Sequence, residues 1–80
     1  MNAHNEKSDV RISLSKNEAL VLFDWLTRFN ESIENGFHHQ AEERVLWDLE
    51  SVLEKTLNSV LSKDFERQLS KAREQLKDQL

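Results

Sequence analysis

The chain has no cysteine, no proline, no tyrosine and a single glycine in 80 residues. Without cysteine there is no disulfide staple, no thiolate zinc site and no cysteine nucleophile. One glycine is too few for a phosphate-cradling loop, which needs several permissive backbone positions. Scarce glycine and absent proline also argue against a many-turned β-protein. No apolar run reaches the length of about 18 residues that marks a membrane span. The N-terminal Met-Asn-Ala-His-Asn-Glu-Lys lacks the apolar core of a secretion signal. The expected location is therefore the cytoplasm, with no membrane partner.

What is present is charge and helical periodicity. Charged residues are 32% of the chain and the net charge is -4. The charge is mixed along the chain: residues 1–15 sum to 0, 16–36 to -2, 37–61 to -3 and 62–80 to +1. Lys63, Arg67, Lys71, Arg73 and Lys77 are interleaved with Asp64, Glu66, Glu74 and Asp78. No basic face gathers, so direct nucleic-acid binding is not expected. The acidic middle suits a basic protein partner instead. A chain this short buries only about 60% of its unfolded surface, which favours one small helical domain.

The expected fold is mainly α: a short N-terminal strand or extended arm followed by a three-helix bundle. Residues 1–9 are polar and are expected to be mobile, leaving 10–80 as the domain. Val10-Arg11-Ile12-Ser13-Leu14 alternates with period two and reads as the strand. No partner strand is recognisable, so pairing with a two-fold-related copy is one option for it. Ser15 and Glu18 fit a capping box that opens a helix over 16–35. Its apolar seam is Ala19, Leu22, Leu26, Phe29 and Ile33, and Gly36 is placed to cap its end. A second helix over 40–61 carries a stripe of Val45, Leu49, Val52, Leu53, Leu57 and Val60. A third, over 63–79, carries Phe65, Leu69, Ala72 and Leu76, with Ser62 as its expected N-cap. One continuous helix from 40 onward is the competing model.

Two surfaces stand out. A stripe centred on Leu49 and Val60 leaves Trp47 about 150° away, beside Glu43, Glu50 and Glu54 at helical spacing. Like charges at Glu50 and Glu54 cost stability, so an acidic stripe around a tryptophan points to a binding face. Cover by the arm or the third helix is its structural explanation. On the first helix, Val21 and Trp25 lie off the seam. With Ile12 and Leu14 of the arm they form a candidate dimer interface, unless the first helix is simply central and covered.

Neither catalysis nor metal binding has a comparable signature. His38 and His39 are adjacent and diverge, and no second ligand cluster accompanies them. There is no nucleophile elbow, and so small a bundle has little room for a substrate pocket. The chain is expected not to be an enzyme and to carry no metal or cofactor.

The stretches Ile12–Glu31 and Ala41–Lys55 resemble a group of small bacterial cytosolic proteins, most specifically in Glu-Ala-Leu-Val-Leu-Phe (18–23) and Ala-Glu-Glu-Arg-Val-Leu-Trp (41–47). The likeness covers roughly residues 10–76. It implies a bacterial cytosolic stand-alone domain; the group has no established activity, so no functional residue carries over. The leading functional expectation is a protein-binding module of the immunity or antitoxin kind, acting through Glu43, Trp47, Glu50 and Glu54. The alternative is a homo-oligomeric structural protein with an arm-mediated dimer. An acidic mimic of DNA is a weaker third, because a charge of -4 is modest for that role.

Overall fold

A computed structural model describes residues 1–32, 40–58 and 64–77. Among the described residues, two antiparallel strands, β1 (Asn2–Asn5) and β2 (Val10–Ser13), precede three helices. These are α1 (Lys16–Glu31), α2 (Gln40–Thr56) and α3 (Phe65–Lys77). The architecture is the expected one: mainly helical, with the N-terminal strand ahead of the bundle.

Strand β2 was expected to lack a partner, and the polar N-terminus supplies one. Asn2 pairs with Ser13, Ala3 with Ile12, His4 with Arg11 and Asn5 with Val10. Asn2-Ala-His-Asn5 has no apolar alternation; it is a strand because the ladder to β2 satisfies its backbone. Lys7 and Ser8 make the turn, closed by Glu6 and Asp9, which exchange backbone hydrogen bonds.

Helix α1 starts where the capping box puts it. The Ser15 hydroxyl accepts from the Glu18 amide at 3.1 Å, and the Glu18 carboxylate accepts from the Ser15 amide at 2.8 Å. Its end differs from the expected Asn35. Ser32 is extended, and its amide bonds back to Phe29 at 3.1 Å, so the helix stops at Glu31. Ile33, Gly36, His38 and His39 lie outside the described residues, as do Val60 and Ser62.

α1 is the central element, with α2 and α3 both packed against it. The core is Ala19, Leu20 and Leu26 of α1, Leu53 and Leu57 of the α2 end, and Leu69 and Ala72 of α3. Leu20, off the expected seam, is buried because α1 has helices on more than one side. Phe23 meets Phe65 edge to face at 6.4 Å, tying α1 to α3. The polar rim of the same joint is Asp24 with Arg73 at 2.8 Å, and Asn17 with Gln75.

The competing model of one long helix fails at Asp64. Its φ is 49°, left-handed, and its carbonyl accepts from the Gln68 amide at 2.9 Å. A residue at that φ cannot belong to a right-handed helix. It sits at the start of α3, which begins at Phe65 rather than 63.

Candidate functional site

The roll of α2 about its axis decides what the chain presents. Leu46, Leu53 and Leu57 turn towards the core, with Leu49 at their flank. Val45 and Val52, expected in the core, are instead 62% and 60% exposed. The apolar arc of α2 is wider than a single neighbouring helix can cover. The leucines, with more apolar surface per side chain, occupy the covered part.

This roll splits the expected acidic stripe. Glu50 lies about 40° from the seam of Leu46, Leu53 and Leu57, not opposite it. Its carboxylate accepts from the Asn30 side-chain amide at 2.7 Å and from the Thr27 hydroxyl at 3.4 Å. Glu50 therefore belongs to the α1–α2 joint and is corrected out of the exposed face. Glu43 is half-buried and Glu54 exposed. Trp47 lies about 100° from the seam by the same rotation and is 51% exposed. Neither the hairpin nor α3 covers it.

Glu43, Trp47 and Glu54 thus form one flank of α2, about 16 Å from end to end along the axis. Neither Glu43 nor Glu54 makes an ion pair among the described residues. Of the basic residues of α2, Arg44 lies about 60° from Trp47 and is paired with Asp48 at 3.3 Å, and Lys55 lies about 80° from Trp47. An indole with one carboxylate a turn before it and another two turns after it, neither ion-paired among the described residues, suits a guanidinium or ammonium group with an aliphatic stem.

The other expected surface divides as well. Ile12 is exposed, while Leu14 and Val21 are half-buried against the helical core. Trp25 is exposed on one side and stacks on Phe29 on the other, with ring centroids 4.8 Å apart. Val21 and Trp25 line a groove of about 450 Å³ between α1 and α3, together with Leu22 and Leu76. Asp24 at its edge is shared by two guanidiniums, Arg28 at 3.1 Å and Arg73 at 2.8 Å. Residues 12 and 14 do not line this groove.

The Asp24–Arg73 bridge has no local signal, because the two lie 49 residues apart. The exposure of Val45 and Val52 had a signal, in that both are valines beside a leucine seam. Among the described residues, no group of three or more metal-ligating side chains gathers. No helix among them is long and apolar enough to cross a membrane. No protein-family model matches the chain, and no curated protein or solved structure is significantly similar to it.

Proposed function

We propose that the chain is a small non-enzymatic protein-binding module that neutralises or regulates a basic partner protein, as an immunity protein or antitoxin does. The observation that carries this reading is Trp47, half exposed between Glu43 and Glu54. Tryptophan is a common anchor at interfaces, and burying it in a partner's pocket is worth several times a rim contact. Carboxylates beside it steer a basic partner in and hold its Lys or Arg side chains. The mechanism is occlusion: the α2 flank covers a basic working surface on the partner. With Glu50 engaged by α1, the face is smaller than the four-residue stripe and depends more heavily on the indole. In this reading the protein acts in the bacterial cytoplasm.

Affinity capture with the full chain tests it, using wild type, Trp47→Ala, Glu54→Lys and a Lys77→Ala control as baits. A basic protein retained by wild type and control, and released by Trp47→Ala, is the expected result. Equal retention by all four baits sinks the reading.

A further inference from the structure

The hairpin has an open edge, and its hydrogen-bond parity says which residues form it. The Glu6 amide bonds to the Asp9 carbonyl at 2.8 Å and the Asp9 amide to the Glu6 carbonyl at 3.3 Å. Closely spaced pairs of this kind alternate with widely spaced pairs along an antiparallel ladder. Counting along the register from Asn5↔Val10 to Asn2↔Ser13, Arg11 and Ser13 direct their amides and carbonyls inward to β1. Val10 and Ile12 direct theirs outward. Among the described residues the sheet has two strands, so this edge of β2 has no ladder partner. The side chains of Val10 and Ile12, on one face of the hairpin, are 67% and 62% exposed. A two-stranded ribbon is marginal by itself, and an open edge is a template for another strand.

We propose that the occupant of this edge is a second copy of the chain, whose β2 adds antiparallel across a two-fold axis to make a four-stranded sheet. Two central registers use outward-facing groups on both strands and keep the Val10–Ile12 face continuous. One pairs Val10 with the second copy's Ile12, and this sets the two Arg11 side chains directly opposite each other. Like charges at directly opposed positions are destabilising. The other pairs Ile12 with the second copy's Ile12 and Val10 with the second copy's Leu14. It sets Arg11 opposite Ser13, so no like charges oppose, and it places a β-branched pair on the axis. Arg11 keeps its own counter-ion, Glu6 at 3.0 Å. Leu14 packs against the helical core, so the joined face continues into that core. The isoleucine register is the one without opposed like charges. Such a contact is isologous and closes at two chains. Its area is small, so the dimer dissociates in the micromolar range or above. It leaves the Trp47 flank untouched and does not depend on the proposed function.

Light scattering of the full chain over a concentration series reads the assembly. The expected mass rises from one chain to two and no further; a strictly single-chain mass at millimolar concentration overturns the proposal, as does growth beyond two. Ile12→Pro removes an outward amide but no inward ladder bond. That variant is expected to stay monomeric with an unchanged helical circular dichroism signal, and a persisting dimer contradicts the edge. Because the chain has no cysteine, single-cysteine variants report the register cleanly. Ile12→Cys is expected to oxidise to a covalent dimer roughly tenfold or more faster than Lys7→Cys at the turn, through raised effective concentration. Arg11→Cys cross-linking faster than Ile12→Cys overturns the isoleucine register.

Discussion

Asn30 of α1 donates a 2.7 Å hydrogen bond from its side-chain amide to the carboxylate of Glu50 on α2. Thr27, one turn earlier on α1, reaches the same carboxylate at 3.4 Å. This polar clasp fixes how α2 is rolled, and therefore which side of α2 meets solvent. The carbonyl oxygen of the Asn30 side chain is buried without a hydrogen-bond partner among the described residues, so the clasp already carries one unsatisfied group.

Loss of the clasp therefore leaves further groups unpaired. Glu50→Ala is expected to destabilise the fold by about 1–2 kcal/mol. Glu54→Ala, on the exposed flank, is expected to stay within about 0.5 kcal/mol of wild type. Urea unfolding of the two variants checks the contrast. Equal effects would mean that Glu50 is not part of the joint.

The start of α1 carries a pH signature. The Ser15 amide bonded to Glu18, followed by the Met1 ammonium at 3.2 Å, holds the Glu18 carboxyl below its ordinary value of 4.5. A carboxyl lowered in the folded state stabilises the fold above its unfolded pKa. That contribution fades as pH falls below 4.5 and through the lowered folded value. Melting curves of wild type and Glu18→Gln are expected to differ at neutral pH and to converge in acid. Ser15→Ala is expected to cost about 1 kcal/mol through loss of the cap.

Asp24 holds α3 to α1 through a charge-assisted bond to Arg73, and its side chain is only 18% exposed. Arg28, on the same helix as Asp24, is 64% exposed. Asp24→Asn is expected to cost about 1 kcal/mol. Arg28→Ala, an exposed i,i+4 pair, is expected to cost less than about 0.5 kcal/mol. Unfolding at low and high salt tests the order, and the gap between the variants should narrow as salt is added.

Asp64 keeps a left-handed backbone, φ 49°, at the start of α3. Asp64→Val is expected to destabilise by about 1–2 kcal/mol, because a β-branched side chain resists that conformation. Asp64→Gly is expected to be close to neutral, since glycine adopts it freely but loses more entropy on folding. Thermal unfolding of both variants reads the difference.

Local chemistry made parts of this fold legible in the sequence. Ser15 and Glu18 announced the start of α1, and the periodicity of 40–57 announced α2 from Gln40 onward. Long-range choices were less legible. Asn2–Asn5 carries no strand pattern, and only pairing with Val10–Ser13 reveals it. The apolar arc of α2 allowed two rolls, one burying Val45 and Val52 and one exposing them and turning Leu46 towards the core. Helical spacing alone does not choose between them. The larger apolar surface of the leucines favours the observed roll, and Asn30 and Thr27, polar residues of another helix that meet Glu50, add to it. Trp47 is on the exposed side in either roll, whereas Glu50 changes sides.

The central claim, that Trp47 anchors a basic partner, is tested most directly by its fluorescence in the complex. Trp25→Phe leaves Trp47 as the only tryptophan of the chain. With the captured basic protein bound, its emission is expected to shift to shorter wavelength and to be shielded from iodide quenching. Emission and quenching that stay at the free-chain values while the partner is bound would contradict the claim.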